Sequence, residues 1–446
     1  MINFGNYAMD IKQAIFYLKQ KIARRHALSQ WREVLAFERL LFRDMCQIVE
    51  AKKRLIVTNA FLKNSFYRRH YHEAGFDLRD MEQEHWFEHL PIVTKEDIRN
   101  SFPELITPGC EKYLRISTTG GSTGVPVRTG YDRRIPEEVY SWRQQEWFGV
   151  HPWEDHAYVW RDTRQKKIAK VINKLLWFPT RHLKLDAAIM TKESIMRFIS
   201  DYNSIKPTLL YGYVGAVSEL AQYIIDHEVE VHSPKMVWVT SAPLSSVQRE
   251  LISRAFGTIV CDQYGSCEIR AIAQQCPQCN GLHVNIDHVN VEFVDQNNLP
   301  VESGDYGRTL LTNLEDTVFP LIRYENGDRG RWLTEPCVCG RSLPCIDSVK
   351  GRESESFHLL SGKIINGEFL TTIFDAHPDL VRGFRVVQKR DGSIVVEYIP
   401  AGDESAILSV LESFAESLRK EVPVRFAKVT AIPHDRGKTR FVVVEK

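Results

Sequence analysis

No run of apolar residues in this chain approaches the roughly 20 that a membrane-spanning helix requires, so no transmembrane segment is expected. There is almost no net charge: 58 Lys and Arg stand against 57 Asp and Glu, a balance of +1. No global field therefore draws the protein toward nucleic acid or anionic lipid. The one basic stretch, Lys19 to Arg25, lies at helical spacing and reads as a solvated face. No basic patch with interleaved aromatics is evident, and nucleic acid is not an expected partner. The opening residues, MINFGNYAMDIKQAIF, place Asp10 and Lys12 inside their apolar stretch and offer no small-residue cleavage site. A signal peptide is excluded on that reading, and a cytoplasmic location is expected. Cysteine is sparse and odd in number: there are nine, four of them in two tight pairs. Reduced thiols and a metal site fit this better than a disulfide framework. At 446 residues with 43% hydrophobic content, the chain is too long for one core, and two or three domains are expected.

From Asp10 to about Tyr71 apolar residues recur at spacings of three and four, as in Ile11, Ile15, Leu18, Ile22 and Val34, Phe37, Leu40, Leu41. This is a helical start running to about residue 90. Thr94, followed three residues later by Asp97, reads as the cap of a further helix. After Ile116 short apolar runs alternate with helical patterns, the rhythm of an α/β domain. Ala157–Trp160, Leu209–Tyr211, Met236–Val239 and Thr258–Val260 read as strands, and Lys192–Tyr202 and Gly215–His227 as helices. From His283 to Leu333 the chain is β-rich, with a turn at Gly304–Gly307. Beyond Arg352 it reads as a small α+β unit. A hairpin turns at Asp391-Gly392, a helix spans Ala406–Leu418, and strands follow at Val424–Val429 and Phe441–Val444. The expected division is 1–352 and 353–446.

Five motifs carry the chemistry. Thr118-Thr119-Gly120-Gly121-Ser122-Thr123-Gly124-Val125-Pro126 is rich enough in Gly, Ser and Thr for backbone N–H groups to converge on an anion. It lacks the Gly-Lys-Ser/Thr ending of a P-loop. On composition alone it is equally a surface turn. Asp262-Gln263-Tyr264-Gly265-Ser266-Cys267-Glu268 follows a strand candidate; Tyr264 can cover an adenine and Glu268 can hold Mg²⁺ against phosphate oxygens. In Pro320-Leu321-Ile322-Arg323-Tyr324-Glu325-Asn326-Gly327-Asp328, an Asp after a Gly turn can accept both ribose hydroxyls. Gly351-Arg352 and Gly437-Lys438 complete the ordered set.

That set resembles the adenylate-forming superfamily of acyl-CoA synthetases, adenylation domains and luciferases, and within it the branch of phenylacetate–CoA ligase and the CapK-like proteins. The resemblance runs from about Leu90 to the C-terminus. It implies an α/β fold, a large N-terminal domain of several subdomains with a small mobile α+β C-terminal domain. The implied activity is ATP- and Mg²⁺-dependent conversion of a small carboxylic acid to an acyl-adenylate, followed by transfer to coenzyme A. An amine, a sugar hydroxyl or a carrier-protein thiol is an alternative acceptor, a non-catalytic scaffold is an alternative role, and a homodimer is a further expectation. Residue by residue, the resemblance implies that Ser122, Thr123 and Gly124 handle the ATP phosphates. Tyr264, with Gly265 and Ser266, would lie by the adenine, and Asp328 would hold the ribose with Arg352 nearby. Glu268 would bind Mg²⁺, and Lys438 would bridge the substrate carboxylate and the α-phosphate. Ser241-Ala242-Pro243 matches the nucleotide-side loop without the glutamate many members carry there. Tyr211-Gly212-Tyr213-Val214-Gly215-Ala216 resembles a segment bordering the acyl pocket; its aromatics suit an aryl acid and equally a plain core. Three departures stand out: the phosphate loop has no lysine, Cys267 replaces a usual Thr or Ser, and Ser354 replaces an acidic hinge residue.

Cys276-Pro277-Gln278-Cys279 and Cys337-Val338-Cys339 are two close pairs suited to tetrahedral structural Zn²⁺, with His283 able to replace one cysteine. The resemblance implies the set Cys276, His283, Cys337 and Cys339, leaving Cys279 spare; four cysteines remain the alternative.

Overall fold

The helical periodicity of the N-terminal part becomes four helices in the computed structural model, α1 (Ile11–Ala23), α2 (Arg25–Phe37), α3 (Phe42–Lys63) and α4 (Ser65–Glu73). The structure describes residues 10–118, 128–160, 177–187, 190–278, 281–347, 349, 357–359, 364–365, 370, 373–374, 377, 379–416, 418–419, 421–435, 438–439 and 442–445. Asp10 and Asn64 cap α1 and α4 by accepting from the N–H groups of Lys12 and Tyr67. At α5 (Lys95–Ser101) Thr94 and Asp97 form the reciprocal capping box that the sequence implies. A hairpin of β1 (Leu114–Thr118) and β2 (Arg128–Asp132) follows, then α6 (Glu138–Glu146).

The α/β rhythm then builds β3 (His156–Trp160), β4 (His182–Asp186), α7 (Lys192–Ile205), β5 (Leu209–Tyr213), α8 (Val214–Asp226), β6 (Met236–Thr240), α9 (Ser246–Phe256) and β7 (Val260–Tyr264). These five strands are parallel. Antiparallel β8 (Ala273–Gln274), β9 (Leu282–Val284) and β13 (Cys345–Ile346) extend them into an eight-stranded sheet ordered β13-β9-β8-β7-β6-β5-β3-β4. β7 starts later than the sequence suggests. Gly257 closes α9 in the left-handed conformation at φ 62°, and Thr258 and Ile259 form the connection.

Alternation sorts the sheet's two faces. Ala157, Val159, Leu210, Val237 and Val239 pack into one core with α7, α8 and α9. Gly212 is required on that face, because an added Cβ would meet Val217 at 2.6 Å and the Val159 carbonyl at 2.8 Å. Their neighbours Tyr158, Trp160, Tyr211, Tyr213 and Trp238 lie on the opposite face. Trp160 stacks on Tyr211 at 5.1 Å, and Tyr211 meets Trp238 at 4.9 Å.

A three-stranded antiparallel sheet of β10 (Val289–Val294), β11 (Gly307–Asn313) and β12 (Tyr324–Gly330) shares a core with α3, α4 and the end of β7. The C-terminal part holds the short pair β14 (Phe357–His358) and β15 (Ile364–Ile365), then β16 (Val381–Gln388), β17 (Ile394–Pro400), α10 (Glu404–Glu416), β18 (Val424–Lys428), the pair β19 (His434–Asp435) and β20 (Lys438–Thr439), and β21 (Val442–Val444). Its four-stranded sheet, ordered β18-β17-β16-β21, packs Phe384, Val386, Ile394 and Val396 against Ile407 and Leu411 of α10. Val247 of α9 joins this same core, and Arg382 pairs with Asp226 of α8 at 3.1 Å. The expected boundary after Gly351-Arg352, and Ser354 with it, lies outside the described residues. Among the described residues, no helix is long and apolar enough to cross a membrane.

Candidate functional site

Parallel strands leave their carboxyl ends on one edge of the sheet, the edge where α/β proteins bind ligands. Two sequence motifs meet there on neighbouring strands. Ser241, Ala242 and Pro243 follow β6, and Gly265 to Glu268 follow β7. Ser241 adopts φ 76°, a left-handed conformation uncommon outside glycine and concentrated at functional loops. After β7, Ser266 ties its own turn: its N–H and hydroxyl both reach the Ile269 carbonyl, while its Oγ accepts from the N–H groups of Glu268 and Ile269. The hydroxyl's bonding capacity is thereby filled. What Ser266 contributes to the site is the shape that presents Glu268.

The third motif arrives from the other sheet. Gly327-Asp328 was expected as a turn, but the chain runs on as a strand through Gly327, at φ 82°, with a register irregularity against β11. A bulge of this kind bends the strand and re-aims its side chains. Tyr324, Asn326 and Asp328 alternate along β12 and are all buried. The Tyr324 hydroxyl donates to Glu268 Oε1 at 2.9 Å, and the Tyr264 hydroxyl donates to Asp328 Oδ2 at 2.8 Å. Asn326 Nδ2 donates to both Tyr264 Oη (2.6 Å) and Asp328 Oδ2 (2.7 Å). Lys95 Nζ reaches the Asn326 carbonyl at 2.6 Å. The structure thus joins Tyr264, Glu268 and Asp328 into one constellation. Tyr324 and Asn326 belong to it, and sequence reasoning passed them over. Their signal was the period-two placement beside Asp328.

Among the described residues the second Glu268 oxygen accepts no hydrogen bond, so a buried carboxylate is available to a hard cation, as the chemistry of Mg²⁺ requires. The phosphate-loop residues Ser122, Thr123 and Gly124 lie outside the described residues, between the paired hairpin ends Thr118 and Arg128. Arg352 lies outside them also. The backbone of Lys438 pairs with Asp435, and β20 packs against α8.

A second cluster forms on the far edge of the sheet. The ligand atoms of Cys276, His283, Cys337 and Cys339 all lie within 4.8 Å of one another. Cys279 lies outside the described residues. Cys276 Sγ is 3.7 Å from Cys337 Sγ, and Cys339 Sγ is 3.3 Å from His283 Nε2. Zn–S bonds of about 2.3 Å at tetrahedral angles separate two sulfurs by about 3.8 Å, which fits this pair. His283 is fully buried, and its Nδ1 lies 2.8 Å from the Leu343 carbonyl. An N–H at Nδ1 donating there leaves the Nε2 lone pair aimed at the cluster, the outer bond that orients a ligating imidazole. The Cys339 N–H points to Cys337 Sγ at 3.4 Å, which suits a thiolate. This donor set fits a closed structural zinc site.

No family model matches the chain. Protein CapK of Staphylococcus aureus is 27% identical over 374 residues, 79% of each chain. Phenylacetate-coenzyme A ligase of Thermus thermophilus is 23% identical over 392 residues, 84% of this chain and 83% of the relative. Among solved structures, a 2-hydroxyisobutyryl-CoA ligase in the postadenylation state with an acyl-AMP superposes with a TM-score of 0.73 at 19% identity, covering 92% of this chain and 91% of the other. An open conformation of that ligase, with an acyl-AMP and CoA, gives 0.65 at 19% identity over 92% and 93% of the two chains. The chain therefore shares the fold of these acyl-CoA ligases. Over most of its length it is similar in sequence to CapK and to phenylacetate–coenzyme A ligase, the branch that its ordered motifs resemble.

Proposed function

We propose that the protein is an ATP-dependent ligase that converts a carboxylic acid to its acyl-adenylate and then transfers the acyl group to coenzyme A. The observation that carries this reading is the constellation of Tyr264, Glu268 and Asp328, drawn from two sheets onto the carboxyl edge of the parallel strands. In this reading Asp328, oriented by Tyr264 and Asn326, accepts the ribose hydroxyls. Glu268, oriented by Tyr324, holds Mg²⁺ where phosphate oxygens meet it; bound there, the ion would offset phosphate charge. Ser122, Thr123 and Gly124 cover the phosphates, Ser241 to Pro243 line the nucleotide, and Arg352 stands near the ribose. Lys438 approaches only in the adenylation step, and the C-terminal unit of 353–446 carries it away afterwards. A zinc ion held by Cys276, His283, Cys337 and Cys339 staples the loops beside β8, β9 and β13. The supply of ATP and coenzyme A suits a cytoplasmic enzyme.

The half-exposed aromatic wall of Tyr158, Trp160, Tyr211 and Tyr213 supports a flat acyl group as the acid's body. A hydroxylamine-trapping screen of aryl, fatty and amino acids tests the reading. Hydroxamate formation strongest with an aryl acid, together with acid-dependent pyrophosphate release, is expected; no release with any acid would sink it. Coenzyme A added to the same reaction decides the acceptor by appearance of the thioester. Asp328→Asn is expected to raise the KM for ATP at least tenfold, since a hydrogen bond to a charged group contributes roughly 1.5–3 kcal/mol. The KM for the acid should be unchanged, and a parallel rise in both would argue against ribose binding.

A further inference from the structure

The turn that presents Glu268 is strained and doubly held from inside the molecule. Ala271 sits at φ 48°, a left-handed conformation for a residue with a Cβ. Such backbones persist only where their surroundings over-determine them, and they cluster at working sites. Here two buried side chains grip adjacent carbonyls. Asn285 Nδ2 donates to the Ala271 carbonyl at 2.6 Å, and His288 Nε2 lies 3.2 Å from the Arg270 carbonyl.

Both grips are themselves fixed. Asn285 Oδ1 accepts from the Arg143 guanidinium and from Gln144 Nε2 at 3.2 Å, which settles the orientation of its amide. Arg143 is fully buried and forks onto both oxygens of Asp287 at 3.0 Å each. His288 faces an acceptor at each ring nitrogen: the Arg270 carbonyl at Nε2, and Glu315 Oε2 at 3.1 Å on Nδ1. Two acceptors require two N–H groups, so the ring is an imidazolium. Burial alone would push its pKa down, but the Glu315 carboxylate, with Glu137 and Asp287 nearby, raises it. Glu315 is anchored in turn by the Tyr140 hydroxyl at 2.7 Å, Gln30 at 3.3 Å and Lys52 at 3.4 Å, and the Tyr140 ring lies on His288 at 4.4 Å. Gln30 and Lys52 come from α2 and α3, so the N-terminal helices reach the site through this chain of bonds. On the turn's outer side the Arg270 guanidinium covers the Tyr131 ring at 4.1 Å and pairs with Glu137 at 3.2 Å.

We infer that His288 and Asn285 are positioning residues for the Mg²⁺–ATP site, holding the Arg270-Ala271 backbone so that Glu268 is set in place before the ligand arrives. The inference rests on the functional reading above and extends it to residues that touch neither ATP nor metal. The test is calorimetric titration of full-length protein with ATP plus Mg²⁺ and, separately, with AMP. His288→Gln is expected to weaken ATP–Mg²⁺ binding about tenfold, the scale seen when outer partners of a metal ligand are removed. AMP affinity should stay within about twofold, because ribose and adenine rest on Asp328 and Tyr264. A residue that only stabilised the fold would move both titrations or neither, and either result overturns the inference. If His288→Gln does not fold, Tyr140→Phe removes one anchor of Glu315 and should still weaken ATP–Mg²⁺ selectively; equal affinities there overturn it as well. Wild-type protein that binds no ATP at all would instead count against the functional reading.

Discussion

Lys438→Ala is expected to lower acid-dependent pyrophosphate release by about 10³-fold while leaving the second half-reaction intact. The size follows from charge. In adenylation a carboxylate approaches a phosphate, and a cation between them at about 4 Å contributes roughly 4 kcal/mol at an effective dielectric of 20. At about 1.4 kcal/mol per decade this is close to 10³-fold in rate. The variant should fold normally, because the pairing of Lys438 with Asp435 is a backbone register that alanine preserves. Supplied with the ready-made acyl-adenylate and coenzyme A, it should form thioester at nearly the wild-type rate. That split is the measurement to make. Loss of both half-reactions would show a damaged C-terminal unit, and loss of neither would remove Lys438 from the adenylation step.

The second large effect concerns zinc. Protein purified without chelator should carry one zinc per chain, and Cys337→Ser should abolish that stoichiometry. Zinc binding contributes about 10–16 kcal/mol in isolated finger peptides, an upper bound for a cluster already framed by a sheet. Here β9 and β13 pair through His283 and Cys345, so part of the geometry survives without metal. A loss of several kcal/mol is expected, lowering Tm by on the order of 10 °C. Nucleotide binding should weaken far less than stability, since the cluster lies on β8, β9 and their neighbours and not on the Glu268 turn. Zinc well below one per chain, with full stability, would leave three reduced thiols and an imidazole that happen to converge. Cys279→Ser should leave zinc content unchanged if His283 is the fourth ligand.

Local grammar was readable in the sequence, and long-range convergence was not. The Thr94–Asp97 box, the helices beginning at Lys192 and near Gly215, and the hairpin turning at Asp391-Gly392 all follow from residues within a few positions of one another. The start of β7 is not legible locally, because a left-handed Gly257 ends α9 and the β-branched Thr258 and Ile259 serve as connection. Each of the motifs at Tyr264, Glu268 and Asp328 was visible, yet nothing local says that the Tyr264 hydroxyl meets Asp328. The Gly327 turn hid the strand that makes this contact, because a bulged strand and a turn share their glycine. The support beneath the Glu268 turn was hidden more deeply. His288, Asn285 and Glu315 look like ordinary polar residues until β10, α6 and the N-terminal helices are packed together.

Val247 belongs to α9 yet completes the core formed by Phe384, Val386 and Ile407 of the C-terminal sheet. Any swing of that unit must draw a fully buried valine into water, at about 1.5–3 kcal/mol. With two arrangements separated by some 2 kcal/mol, the docked one outnumbers the swung one by roughly 30 to 1. Such a ratio is small enough for a modest difference in ligand affinity to invert. Under the proposed function the docked and swung arrangements form an unequal mixture weighted by this valine together with the Arg382–Asp226 pair, and trimming Val247 to alanine would bring the two populations closer.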